Sequence, residues 1–350
     1  MILRMNQTSA EGRKAEGYAP AVPPPVSIIL PVFNEAGFIQ ACLASLQAQV
    51  YDGEIEIVVA DGRSTDGTRS LLETHHQHGD LILIDNPQRR QWAGLNLAAA
   101  AASGEILVRV DGHSTYSDDY VRRSVEALEA TDARAVGGRM IPISDTPVGM
   151  AVVSAMASAW AVGPARYRHQ EHRSLVDTVY LGAFRRADFE RLGGYRDLPG
   201  VAEDADLYFR WRRQGATVML DPAIRSDYRP RDTWRALARQ YYRYGWGKAD
   251  MLYANGVLPS LRPLAPLALL LGLVAGAILA VLTPWQWPLI ALLAMWALAL
   301  ISIGLGTSGR PVHRLRTMAA TALMQLSYGV GLLAGLGRGP GPRRHLRDQS

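Results

Sequence analysis

From residue 26 to residue 136, short apolar runs alternate with segments whose apolar residues recur at helical spacing. Runs at 26–32, 55–60, 81–84 and 106–110 predict four strands. Between them, 37–49 carries Ile39, Leu43 and Leu46 on one helical face, 70–76 reads as helical, and 92–102 is an alanine-rich helix. After the fourth run, Ser117 is the expected N-cap of a helix running through Ala130. Continuous apolar strands separated by helices call for an α/β fold, a mostly parallel sheet with helices on both faces. Ligands of such sheets bind beyond the carboxyl ends of the strands. That rule singles out residues 31–35, 61–67 and 111–113.

The second half of the chain is patterned differently. Residues 149–162 are small and apolar but too few to cross a bilayer, and predict a buried or interfacial helix. Three uncharged apolar segments follow, at 264–282, 285–306 and 317–336, each near the length needed to cross hydrocarbon. The first two are joined at Thr283-Pro284, which predicts a transmembrane hairpin. Trp285, Trp287 and Tyr253 stand where interfacial aromatics belong. The third segment holds Gln325, Ser327 and several glycines, so two or three crossings remain open. Arg231, Arg235, Arg239, Arg243 and Lys248 precede the first segment, and Arg310, Arg314 and Arg316 lie between the second and third. Both groups are expected on the cytoplasmic side of an inner (plasma) membrane. The basic tail, with Arg338, Arg343, Arg344 and Arg347, ends up outside if the third segment crosses, against the same rule. The division expected is a flexible leader over 1–25, a globular domain over 26–250 with interfacial helices near its end, a transmembrane region over 251–337, and the tail over 338–350. The leader has no apolar core, so no secretory signal is expected.

Composition narrows the partners. The net charge is +5, but the basic residues are scattered rather than clustered with aromatics, which favours anionic membrane and phosphorylated substrates over nucleic acid. Cys42 is the single cysteine, so an internal disulfide is excluded; its helical neighbours predict a buried thiol.

Four polar constellations interrupt the apolar pattern. The loop Asp61-Gly62-Arg63-Ser64-Thr65-Asp66-Gly67-Thr68 offers carboxylates to a nucleotide, or is a turn whose Asp66 caps the next helix. Asp111-Gly112-His113 can turn two ligands toward one divalent cation, which would take its other ligands from a diphosphate and water, or is a strand-ending turn. Glu203-Asp204-Ala205-Asp206 opens a helix, as a capping cluster suited to the helix dipole or as a general base in a cleft. Gln240, Arg243 and Tyr244 lie shortly before the first apolar segment, where basic and aromatic anchors are common.

Taken together, in this order and on this strand pattern, they resemble family 2 glycosyltransferases of the nucleotide-sugar-binding GT-A (Rossmann-like) fold. The matching residues are 26–35 ending in Pro31-Val32-Phe33-Asn34-Glu35, then 56–68, Gly94-Leu95-Asn96, Ser103-Gly104-Glu105, Asp111-Gly112-His113, Gly182-Ala183-Phe184-Arg185, Gly193-Gly194-Tyr195 and Glu203-Asp204. The resemblance covers about residues 26–246, and is nearest the membrane-bound, ExoA-like enzymes of succinoglycan-type exopolysaccharide synthesis. It implies inverting transfer from a nucleotide-diphosphate sugar, such as UDP-glucose, to a polyprenyl-diphosphate-linked or other lipid acceptor. It implies that Pro31, Val32, Asn34 and Glu35 border the uridine pocket, with Glu35 and Asp61 on base and ribose, and that Gly182 and Gln240 line the donor site. Asp111 and His113 stand at the family's D-x-D position and imply a Mn²⁺ or Mg²⁺ cofactor; the histidine in place of the second aspartate suits Mn²⁺ better. Asp204 is the implied base, with Glu203 or Asp206 holding or tuning that role, and Arg243, together with Lys248, the implied counter-charge for the leaving diphosphate. Tyr244 stands where processive members carry tryptophan. A processive polysaccharide synthase and a nucleotide-binding membrane scaffold are the competing readings.

Overall fold

The computed structural model describes residues 22–158, 161, 172–198, 201–257 and 261–339. Most of the expected leader and tail therefore lies outside the described residues. Strands β1 (Val26–Val32), β2 (Ile55–Asp61), β3 (Ile82–Asp85) and β4 (Ile106–Arg109) coincide with the four apolar runs. They pair in parallel in the spatial order β3-β2-β1-β4. Helices α1 (Ile39–Gln47), α2 (Thr68–Gln77), α3 (Gln91–Ala101) and α4 (Tyr120–Glu129) connect or flank them. The N-cap position of α4 is Asp119 rather than Ser117. The Ser117 hydroxyl instead donates to the Asp119 carboxylate at 2.9 Å and holds the turn one step earlier.

Beyond β4 the sheet becomes mixed. Strands β5 (Ser114–Tyr116), β6 (Ala135–Pro142), β7 (Ser174–Leu175), β8 (Tyr180–Arg185) and β9 (Val218–Tyr228) complete nine strands, with β8 antiparallel to both β4 and β6, and β9 parallel to β6. Alternate residues of β1 feed two cores. Ile28, Leu30 and Val32 join Ile39, Cys42 and Leu43 of α1 and Val121 and Leu128 of α4 on one face. Ile29 joins Leu95 and Ala98 of α3 on the other, with Phe184, Tyr208 and Trp211. Helices thus cover both faces, as continuous apolar strands require. Cys42 is fully buried and its thiol faces the Asp111 carbonyl at 3.6 Å.

Helices α5 (Pro147–Met156), α6 (Arg186–Leu192), α7 (Glu203–Arg213) and α8 (Trp234–Asn255) follow, α8 running unbroken through residue 250. The last three are α9 (Leu264–Leu282), α10 (Trp287–Gly306) and α11 (Pro311–Arg338), each long and apolar enough to cross a membrane. They are not equivalent. Only 6% and 11% of the apolar windows of α9 and α10 are buried, against 39% for α11. Helix α11 is sandwiched. Its Ala320 and Met324 pack with Ala151, Val152 and Ala155 of α5 and Leu237 of α8. Farther along, a Cβ on Gly331 would overlap the Tyr242 carbonyl, and one on Gly335 would lie 2.7 Å from Ala249. Tyr253, expected as an interfacial anchor, donates to the Leu336 carbonyl at 2.7 Å. Helices α8 and α11 therefore run side by side in the same direction from Leu237 to Tyr253.

Candidate active site

The loops leaving β1, β2 and β4 meet at one edge of the sheet, because Val32 pairs with Asp61 and Ile29 with Arg109. Asn34 adopts a left-handed backbone (φ 56°). Its amide donates to Ser64 Oγ at 2.9 Å and its Oδ1 accepts from the Thr65 amide at 2.8 Å, which locks the β1 loop to the β2 loop. Asp66 accepts from Thr68 and from the Ala36 amide, so the capping role expected for it also ties the two loops. Asp61 is fully buried. Its carboxylate accepts from the Ser64 hydroxyl at 2.6 Å and faces Arg69 at 3.4 Å, so it holds the loop together.

Asp111 follows β4. Its Oδ1 accepts from Gln91 at 3.2 Å and its amide donates to the Tyr116 hydroxyl oxygen; its Oδ2 makes no hydrogen bond among the described residues. His113 directs Nδ1 toward Glu35 Oε1 at 3.4 Å and lies edge-on to the Tyr228 ring at 5.5 Å. Its Nε2 has no partner among the described residues. A carboxylate behind one ring nitrogen, with the other left open, is the arrangement that prepares histidine as a metal ligand. No three potential ligands gather among the described residues. A divalent cation thus fits Asp111 and His113 as a two-ligand site completed by substrate oxygens and water. Glu35 stands behind the histidine.

Helix α7 opens at the same edge with three acids in different states. Glu203 is buried and accepts from Arg109 Nη2 at 2.9 Å. Burial raises its pKa, and the Arg109 charge opposes that rise. Asp206 is fully buried and held by Arg210 at 2.8 Å, Arg196 at 3.5 Å and Asn255 at 2.8 Å. Asp204 is half-buried; its Oδ1 accepts only from the Ala205 amide, at 2.6 Å. Of the three carboxylates, Asp204 is the one without an arginine in ion-pair contact among the described residues; it feels the charge of Lys248.

Gly182 pairs with Arg109 across the sheet. Leu181 and Gly182 both have positive φ (59° and 123°), and the Tyr208 hydroxyl donates to the Leu181 carbonyl. A side chain on Gly182 would overlap that hydroxyl, so only glycine fits. Gln240 of α8 donates to the hydroxyls of Tyr228 and Tyr244, both at 3.0 Å, and so stands behind the Tyr228–His113 contact. Arg243 is exposed and makes no ion pair among the described residues. The cation that α8 brings to the acids is Lys248. A Cβ on the adjacent Gly247 would lie 2.6 Å from the Val201 carbonyl, so the helix backbone abuts the segment entering α7. Burial lowers the Lys248 pKa, while the charges of Asp204 and Glu203 sustain it.

Sequence reasoning passed over Arg109, Gln91 and Tyr228. Arg109 alone carried a signal: a charge inside an apolar strand is almost never buried without a partner.

The Glycosyl transferase family 2 profile matches residues 27–193. The succinoglycan biosynthesis protein ExoA of Rhizobium meliloti is 30% identical over 309 residues, covering 87% of this chain and 92% of that protein. A dolichyl N-acetyl-α-D-glucosaminyl phosphate 3-β-D-2,3-diacetamido-2,3-dideoxy-β-D-glucuronosyltransferase of Methanococcus voltae is 24% identical over 237 residues, 65% of this chain and 74% of its own. Among solved structures, the mannosyltransferase PcManGT from Pyrobaculum calidifontis, in complex with GDP-Man and Mn²⁺, superposes with a TM-score of 0.56 at 23% identity, over 91% of this chain and 89% of that one. The GT-A fold is shared.

Proposed function

This chain belongs to glycosyltransferase family 2, and on that premise we propose that it transfers a hexose, with inversion, from a nucleotide-diphosphate sugar to a lipid-linked glycan acceptor in exopolysaccharide or cell-surface glycan synthesis. The observation that carries the proposal is the difference among the three acids of α7. Glu203 and Asp206 are committed to arginines, and Asp204 is uncommitted beside the edge that carries Asp111 and His113. All three acids stand in the first turn of α7, where the helix dipole suits negative charge. Asp204 takes the acceptor hydroxyl proton as that oxygen attacks the anomeric carbon from the face opposite the diphosphate. One displacement inverts the centre. A Mn²⁺ or Mg²⁺ ion held by Asp111 and His113 would supply positive charge to the leaving diphosphate. Lys248 adds a cation at the acid end of the site. Arg243, being unpaired and exposed, is free to swing toward a bound diphosphate. Asn34 and the loop that Asp61 braces form the edge on which the nucleotide rests. UDP-glucose is the donor we assign from the resemblance; the GDP-Man carried by PcManGT makes guanosine donors the comparison to run.

The packing of α11 supports two membrane crossings rather than three. Among the described residues, its contacts with α9 and α10 include Met318 against Gly304, Gln325 against Trp296, and Gly329 against Pro266 and Leu270, all in the halves nearest the catalytic domain. Helix α8 runs alongside it and carries Arg239, Arg243, Lys248 and Asp250. Were α11 to cross, these four charges would enter hydrocarbon, at a total cost on the order of 10 kcal/mol on insertion scales. With α9 and α10 alone crossing, the catalytic domain, Arg310–Arg316 and the basic tail all stay on the cytoplasmic side of the inner membrane, as the positive-inside rule requires.

A panel of nucleotide sugars tests the function. Metal-dependent release of nucleoside diphosphate that rises on adding a polyprenyl-diphosphate acceptor is the expected result. Donor binding without release in any combination would reduce the protein to a nucleotide-binding scaffold.

A further inference from the structure

Two buried arginines flank the acids of α7, and they are built differently. Each nitrogen of Arg210 donates a hydrogen bond: Nε to Asp206, Nη1 to the Leu192 carbonyl at 3.1 Å and Nη2 to the Gly194 carbonyl at 2.5 Å. It fastens α7 to the turn after α6, and nothing more is needed to explain it. Arg109 is as deeply buried (3% exposed) but makes one hydrogen bond, from Nη2 to Glu203 Oε1 at 2.9 Å. Its Nε and Nη1 are buried without an acceptor among the described residues, and its guanidinium lies against Tyr195, 5.6 Å from the ring centroid. Nη2 also stands 3.9 Å from Asp111 Oδ1.

Such an arginine is an expensive way to hold two elements together. Burying donors without acceptors costs stability, and an apolar pair of similar volume commonly holds as well as a buried ion pair. Stability alone therefore does not account for Arg109. Its location does. It ends β4 two residues before Asp111, opposite Gly182, and its one committed bond goes to the residue immediately before Asp204. With Glu203 pinned, the first turn of α7 has no freedom to rotate. Asp204, one position on and about 100° farther round the helix, is then fixed facing away from the clamp.

We infer that Arg109 is the positioning residue of the acid pair: by clamping Glu203 it fixes the first turn of α7, presents Asp204 to the acceptor, and keeps that base in register with Asp111. Glu203 is by this account an anchor and not a second base. The inference rests on the reading of Asp204 as the base.

The test uses the full-length chain with Arg109→Met, Arg109→Lys and the double variant Arg109→Met/Glu203→Met. Three quantities are measured on each: the unfolding midpoint, the affinity for UDP and GDP in Mn²⁺, and kcat and KM for sugar transfer. Arg109→Met alone is expected to lose stability, since it strands the Glu203 carboxylate. The double variant recovers the wild-type midpoint and nucleotide affinity, because uncharged side chains fill the same space. Its kcat nevertheless stays about 100-fold below wild type, the scale of a misplacement of about 1 Å at a reacting centre, with acceptor KM unchanged. Arg109→Lys, which keeps the charge, falls between. A double variant with wild-type kcat shows a merely structural pair and overturns the inference. Should Arg109→Met not fold, the double and lysine variants still decide. A wild-type chain that transfers no sugar overturns the functional reading, and this inference with it; wild-type transfer alongside a fully active double variant removes only the role of Arg109.

Discussion

Replacing Asp204 by asparagine separates chemistry from folding more cleanly than any other change in the site. The substitution is nearly isosteric, and the asparagine carbonyl can still accept from the Ala205 amide, the one hydrogen bond Asp204 makes. No arginine pair is broken, and the Glu203 charge still faces Lys248, so stability should fall by no more than about 1 kcal/mol, the centre of ordinary single-substitution effects. The neighbouring acids behave differently. Glu203→Gln and Asp206→Asn each break a buried pair, with Arg109 and with Arg210. The cost is about 3–5 kcal/mol each, and at about 2–4 °C per kcal/mol for a domain of this size the midpoint falls by about 10 °C. The rates reverse the order. Without a base in Asp204→Asn, transfer slows at least about 100-fold, equivalent to about 2.7 kcal/mol in the barrier, while donor affinity is retained. Calorimetric titration of the donor, thermal unfolding and radiolabelled-sugar transfer on one preparation give all three quantities. Near wild-type transfer by Asp204→Asn would refute the reasoning and move the search to Asp206.

Three further outcomes follow from particular contacts. His113→Ala should abolish transfer, whereas His113→Asp should retain part of it and favour Mg²⁺ over Mn²⁺, since oxygen ligands suit the harder ion; full activity of Asp111→Ala in chelator would contradict the two-ligand site. Reporter fusions should read cytoplasmic at Gly309 and at the C-terminus and periplasmic at Trp285; a periplasmic C-terminus would mean that α11 crosses. Burial raises the Glu56 pKa, but hydrogen bonds from Ser27, Ser103 and Gly104 outweigh it and hold the carboxyl below its ordinary value. Its stabilising contribution is therefore present at neutral pH and lost as pH falls from the ordinary carboxylate value through the lower value it has in the fold, so Glu56→Gln should lower the unfolding midpoint at neutral pH and flatten its dependence on acid.

The parts of this protein legible in its sequence are those in which one physical demand dominates. Strands buried on both faces must be apolar throughout, and so β1, β2 and β4 stood out within a residue or two; β3, partly exposed at the sheet edge, was legible as a short apolar run all the same. A helix able to cross a membrane must be long and apolar all round, and α9 and α10, which are both, stood out as well. Helix α11 satisfies two demands at once: its glycines let α8 approach while its large side chains meet the hairpin, and composition averages these into one apolar segment indistinguishable from a crossing. The antiparallel entry of β8 was hidden for a related reason, since strand direction is set by partners far along the chain. The site divides the same way. Asp111, His113 and Asp204 were visible as candidates because a short polar motif ends an apolar run or opens a helix. Which of three adjacent acids is free was not visible, because it depends on Arg109 and Arg210, residues 94 positions before Glu203 and 4 after Asp206. Arg109 was the one available clue. A buried charge closing an apolar strand must be compensated somewhere in the fold, and an acid arriving at the same sheet edge, as Glu203 does on α7, meets that requirement.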